Sequence, residues 1–199
     1  NKEIEVEFKD VSLMYAGSSE NTIEGLNLKV LKGQTIGVIG GTGSGKTSLI
    51  NMIPRFYDAT NGEVFVNGTN VKEYTEEGLR NKIGIVPQKA VLFKGTIRSN
   101  LLWGNESATE NDLMEALKQA QSYDFVMQKE NGIDSVVEQN GRNFSGGQRQ
   151  RLTIARALVR KPEILILDDS SSALDYTTDA NLRKEIAKLK DMTVFIVSQ

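Results

Sequence analysis

Ile4, Val6 and Phe8 are separated by Glu5, Glu7 and Lys9, so the chain opens on strict alternation of apolar and polar positions. A period of two belongs to a strand with one face covered and the other in water, and it predicts an antiparallel edge strand near the start of the chain. NLKVLKGQTIGVIG holds two strands around Lys32-Gly33, and GEVFVNGTNV reads as a hairpin turning on Asn67-Gly68. Residues that accept positive φ make that tight connection. These segments are expected to form a small antiparallel β lobe. IGIVP and EILILD are apolar on consecutive residues instead, as strands are when helices cover both faces, and they predict a central parallel sheet.

Between those two runs the period lengthens. TENDLMEALKQAQSYDFVMQKEN places Leu113, Met114, Leu117 and Ala120 on one helical face, and a helix after Ser145 buries Leu152, Ala155, Leu158 and Val159 before Lys161-Pro162 ends it. The middle of the chain, about 89–160, is therefore expected to be a mainly helical insertion in one domain spanning 1–199. Core packing accounts for nearly all the apolar residues named.

Composition narrows the class. The 199 residues are 39% hydrophobic with 3 prolines and a formal charge of −2, an ordinary globular balance with no global field that would draw nucleic acid. No cysteine and no histidine are present, which removes disulfides and thiolate sites and makes zinc chemistry improbable. No apolar run approaches the roughly 18 residues that cross a bilayer, and no signal-peptide pattern opens the chain. It begins with Asn1 and ends at Gln199 directly after an apolar strand, which reads as a soluble piece excised from a longer protein.

Chemistry enters at GGTGSGKT, Gly40 to Thr47, between the strand TIGVI and the helical spacing of SLINMI. In the pattern G-x-x-x-x-G-K-[ST] the glycines let successive backbone N–H groups face one anion, the helix start adds partial positive charge, and the lysine reaches the outer phosphates. Gly40, Gly41, Thr42, Gly43, Ser44, Gly45, Lys46 and Thr47 are thus candidates to hold a nucleoside triphosphate, with the Thr47 hydroxyl on Mg²⁺. Asp168, at the tip of ILILD, is the candidate carboxylate for the same ion.

A second glycine motif, NFSGGQRQRLTIARALV, puts Ser145, Gly146, Gly147 and Gln148 at the start of a long helix. Locally this is equally a helix cap and an anion site. With these motifs in this order, the chain resembles the nucleotide-binding domain of ATP-binding cassette (ABC) transporters over nearly its whole length. Tyr15 matches the aromatic that stacks on adenine, GGTGSGKT the Walker A loop, Gln88 in IVPQ the Q-loop glutamine, ILILD Walker B, and Ser172 to Asp175 the D-loop. FSGGQ matches the family signature, with Phe144 in place of the usual leucine. Glu138 and the segment VPQKAVLFKGTIRSNLLWG are similar to the exporter branch.

The resemblance implies an α/β fold with a P-loop NTPase core: a parallel central sheet, an antiparallel β lobe and a helical subdomain. It also implies ATP and Mg²⁺ as ligands, a transmembrane domain as partner at the cytoplasmic face of the cell membrane, and no nucleic acid. The implied assembly is a head-to-tail dimer in which each ATP lies between one chain's Walker A and the other's signature.

Two positions depart from the family pattern. Asp169 stands where the family has the glutamate that polarises the attacking water, and the lost methylene withdraws the carboxylate by about 1.5 Å, where misplacement of ~1 Å can cost about a hundredfold in rate. Gln199 falls where the family has a histidine, and it cannot become cationic or relay a proton. Asp169, Gln88 and Gln199 are the candidate catalytic residues of a site expected to be slow. The expected partner is a different cassette chain that keeps the glutamate and histidine. Competing expectations are a soluble cassette ATPase not coupled to transport and a non-hydrolysing, nucleotide-gated interaction module.

Overall fold

Residues 3–14, 23–39, 45–169 and 172–198 are described by the structure, a computed structural model. Tyr15, Gly40 to Ser44 and Gln199 lie outside them. The chain divides into two compact units: Asn1–Ile83 with Glu163–Asp168 and Lys190–Gln199, and Gly84–Pro162 with Asp169–Leu189.

In the first unit, β1 (Ile4–Leu13) pairs antiparallel with both β2 (Ile23–Leu31) and β4 (Asn61–Val66), and β4 turns into β5 (Thr69–Asn70), giving the order β2-β1-β4-β5. Val6, Phe8, Val11 and Leu13 form the covered face of β1. The expected edge strand is therefore an interior one. Alternation reports how many faces are covered, not how many neighbours a strand has. Asn67 and Gly68 both take positive φ, 52° and 77°, which is the two-residue hairpin that their sequence predicts.

The parallel sheet contains β3 (Thr35–Ile39), β10 (Thr193–Ser198), β9 (Ile164–Asp168) and, at its edge, β6 (Ile83–Val86), in the order β3-β10-β9-β6. Ile164, Leu165, Ile166 and Leu167 are all buried, the double-sided covering expected of EILILD. The Lys32-Gly33 turn does not close a hairpin within the β lobe, because β3 pairs with β10 and not with β2. Gly33 has φ +85°, and a Cβ there would lie 2.2 Å from the Lys190 carbonyl oxygen. Its N–H donates to Thr193 Oγ1 at 3.1 Å, so the turn seats against the approach to β10 and redirects the chain into the second sheet. α1 (Lys46–Asn51) and α2 (Glu76–Arg80) are the described α-helices of this unit.

The second unit is mainly helical. After β7 (Gly95–Thr96) come α3 (Ile97–Leu102), α4 (Glu110–Gln119) and α5 (Tyr123–Met127), then β8 (Val136–Val137), α6 (Gly146–Val159) and α7 (Tyr176–Ala187). Thr109 caps α4 reciprocally with Asp112, and α4 packs Leu113, Ala116 and Leu117 inward alongside α6. Lys161, at φ 50°, ends the chain's run after α6 before Pro162, which has no N–H to continue a helix.

One buried polar group stands out in the first unit. Glu5 falls at the irregularity between Ile4 and Val6, where β1 slips register against β2. It is 2% exposed, and its Oε1 has no hydrogen-bond partner. Burial first, then the charge of Glu163, push its carboxyl up to about 7, with Lys32 and Lys82 pulling the other way. A carboxyl raised in the folded state stabilises fully below its unfolded pKa and loses that contribution as pH rises through the folded value. Glu5→Gln is therefore expected to match the parent near pH 4.5 and to exceed its stability above pH 7 by about 1–2 kcal/mol, measured by urea unfolding across pH. A difference that stays constant with pH would exclude this account.

Candidate functional site

The first unit carries one set of candidate groups at the carboxyl ends of its parallel strands. β10 aligns Val197 with Asp168 of β9, and Ser198 with Ile39 of β3, so the end of β9 and the exit toward the phosphate loop lie on adjacent rungs. Ligands of open α/β sheets bind outside these strand ends. Gly45 precedes α1 at φ 83°, a left-handed conformation that glycine adopts without strain. Lys46 follows at once and donates from Nζ to the Ser198 carbonyl at 3.1 Å, which holds the ammonium over the end of β10. Thr47 is exposed, Asp168 is half-buried, and Ser48 and Ile50 anchor α1 inward.

No group of three or more His, Cys, Asp or Glu side chains suited to a metal occurs among the described residues. One hydroxyl and one carboxylate suit Mg²⁺ that arrives with a phosphate ligand, since that ion keeps waters and is commonly held by one or two protein oxygens plus phosphate.

The second unit holds the other set. Ser145 caps α6: its Oγ accepts from the Gln148 N–H at 3.1 Å, and the Gln148 side chain accepts from the Ser145 N–H at 3.1 Å. The cap reading of this segment is thus realised. It leaves the hydroxyl proton of Ser145 to donate elsewhere, and Gly146 and Gly147 sit in the first turn, where a helical N–H has no carbonyl one turn back. Phe144 is buried, with Lys129 Nζ 4.7 Å from its ring centroid. Gln88 is exposed and lines a cavity of about 510 Å³ together with Lys89, Arg142, Gly146, Arg149 and Ala173. Three cations beside a helix start make this wall suited to negative charge.

Asp169 also belongs to this unit. It takes φ +50°, the left-handed region that aspartate enters more readily than most residues. Its carbonyl accepts from the Ser172 N–H at 3.4 Å. Asp175 caps α7 by accepting from the Thr178 N–H at 2.7 Å. That bond, with the positive charge of Arg151, holds its carboxyl below the usual range.

A family profile for ABC transporters matches residues 23–172. The chain belongs to the ABC transporter family. Among relatives, an uncharacterized ABC transporter ATP-binding protein of Bacillus subtilis, YfiB, is 42% identical over 98% of this chain and 34% of its own length. A Staphylococcus aureus protein provisionally named as a multidrug export ATP-binding/permease protein is 40% identical over 99% of this chain and 34% of its own length. The solved structure of a bacterial Atm1-family ABC exporter with ATP bound superposes with a TM-score of 0.91 at 32% identity, covering 99% of this chain and 34% of that one. The chain thus spans about a third of the curated relatives it matches, and its fold is that of an ABC ATP-binding domain with a P-loop NTPase core.

Three participants were not visible in the sequence pattern. The Ser198 carbonyl that receives Lys46 lies 152 residues away, and the approach of the Ala173 carbonyl to Gly147 joins residues far apart in the chain. Arg151 carried a faint signal, a cation one turn into α6 that donates to the carbonyls of Gly147 and Gln121. Replacing the capping hydroxyl separates fold from function here. Ser145→Ala should cost about 1 kcal/mol in unfolding free energy, and Ser145→Asp should retain most of the cap, as read from denaturation midpoints.

Proposed function

We propose that this chain binds Mg-ATP and serves as one half of a head-to-tail pair of ABC ATP-binding domains that power export across a membrane. The observation that carries this reading is that one chain bears two helix starts suited to phosphate: Gly45-Lys46 at the strand ends of the first unit, and the glycine-bearing, serine-capped start of α6 in the second. A single triphosphate in a single domain needs only one of them. Relatives whose names include export and permease functions, and the Atm1-family exporter, support the transport setting. A transmembrane domain is the corresponding partner, with this domain at the cytoplasmic face.

In this reading Tyr15 stacks on the adenine, Gly40 to Gly45 cradle the phosphates, and Lys46 neutralises the outer ones. Thr47, Asp168 and Gln88 would hold the Mg²⁺ that arrives with the nucleotide, an ion that offsets charge building on the phosphoryl oxygens. Ser145, Gly146, Gly147 and Gln148 complete the partner's site, the hydroxyl and two N–H groups meeting the γ-phosphate with the helix dipole behind them. Asp169 orients the attacking water from a carboxylate one methylene shorter than the family's glutamate, and Gln199 can donate a hydrogen bond but no proton. The chain's own site is therefore slow, and a second cassette with glutamate and histidine supplies the faster one.

Two variants of the full-length transporter test the arrangement. Lys46→Ala should abolish nucleotide binding at this chain's own site, and unchanged affinity would remove the loop assignment. Ser145→Asp should leave that affinity nearly intact yet slow the partner's turnover about a hundredfold, because it sets a carboxylate against the γ-phosphate. The opposite pattern would contradict the head-to-tail pairing.

Hydrolysis at the Asp169 site, isolated by disabling the partner's Walker lysine, is expected well below the ~1 s⁻¹ of working enzymes. Turnover at or above that rate would show Asp169 to be a competent base. No turnover at either site would favour the nucleotide-gated module instead.

A further inference from the structure

The two glycines at the start of α6 do not face the same surroundings. A Cβ on Gly146 would find nothing nearer than Arg149 Nη2 at 3.8 Å, an ordinary contact with the end of a flexible side chain. A Cβ on Gly147 would stand 3.2 Å from the Ala173 carbonyl oxygen and 3.9 Å from Leu174 Cδ2, and the nearer of these is backbone. Gly147 is not required by its own conformation, because it lies inside α6 and is absent from the glycines with positive φ. Its backbone does not need glycine, so the space that a Cβ would take decides what the residue does.

We propose that Gly147 is a positioning residue: its missing side chain lets the Ala173 carbonyl seat on the first turn of α6, so that the signature turn and the 172–175 loop are carried as one piece. Arg151 ties the first turn of α6 to the segment after α4. Its guanidinium donates to the Gly147 carbonyl at 3.3 Å and to the Gln121 carbonyl at 2.9 Å and lies 4.8 Å from the Phe125 ring centroid. The carboxylate of Asp175, at the far end of the loop, interacts favourably with its charge. A phosphate met by the first turn of α6 then fixes the 172–175 loop as well, without a separate contact to that loop. The effect on turnover rests on the head-to-tail reading; the junction itself does not.

A double-mutant cycle in the full-length transporter tests it, with Gly147→Ala, Ala173→Gly and their combination, read in both Tm and partner-site kinetics. Glycine at 173 frees the backbone so that its carbonyl can swing away from an added methyl group. Gly147→Ala is expected to lower Tm and to reduce kcat about tenfold with KM for ATP nearly unchanged, as a displacement of a few tenths of an ångström in a positioning element would. The double variant should recover most of both losses. Strictly additive effects, or a Gly147→Ala protein with unaltered Tm and kcat, would overturn the proposal. If the methyl group instead collided with the partner's phosphate, kcat would fall with no recovery from Ala173→Gly, which also overturns it. Should Gly147→Ala fail to accumulate as folded protein, recovery of folded protein in the double variant supports the junction and continued loss refutes it. Failure of the head-to-tail reading has a different signature: the Tm cycle stays coupled while partner turnover is insensitive to both Gly147→Ala and Ser145→Asp.

Discussion

Parallel pairing of β10 between β3 and β9 is the constraint from which the first unit's chemistry follows. It brings Ile39, Asp168 and Ser198 to neighbouring rungs although they are far apart in the chain. Parallel strands cannot be joined by a tight turn, so each must be delivered by a long crossover. The carboxyl ends of several crossovers then converge on one edge of the sheet, and that edge is where a phosphate loop and a metal-binding carboxylate can meet. Pairing with β10 sets Asp168 opposite Val197, and a slip of one residue would turn Asp168 onto the opposite face. The apolar run is therefore as much a part of the site as the aspartate it ends in.

The two helix starts solve the problem of unpaired N–H groups differently. α1 begins after a glycine in the left-handed region with no side-chain cap, and Lys46 stands at its first position. α6 begins with a reciprocal cap that uses the Ser145 and Gln148 side chains on each other. That cap leaves the next two N–H groups and one hydroxyl proton to point outward. A capped start holds its geometry through its own side chains.

How much of this could be read in the residues follows from the range of the forces involved. The hairpin at Asn67-Gly68, the buried run of β9 and the amphipathic face of α4 were legible because each depends on residues within a few positions of one another. The interior place of β1 was not, since a strand's periodicity is the same with one neighbour or two. Nor was the destination of the Lys32-Gly33 turn, because Gly33 is pinned by the carbonyl of Lys190 and the hydroxyl of Thr193. Glu5 broke the alternation without announcing it: the polar residue of a clean pattern became the buried one at a bulge. Among the candidate site residues, sequence spacing named Gly45, Lys46, Thr47 and Asp168 together, and Ser145 to Gln148 together. It could not supply the Ser198 carbonyl or the seat of Ala173, both of which are backbone atoms with no side-chain identity to notice.

Backbone conformation sets limits that residue chemistry alone would miss at two places in the second unit. At Asp169 the φ of +50° lies in the left-handed region, which aspartate enters more readily than most residues. At Gly147 the constraint is reversed: the φ is permissive, and a neighbouring carbonyl leaves a side chain only a tight fit, 3.2 Å from an added Cβ. Asp169 accepts the Ser172 N–H and Gly147 receives the Ala173 carbonyl, so the same short loop is held at its entry by one and along its length by the other. Both contacts lie within one unit of the chain.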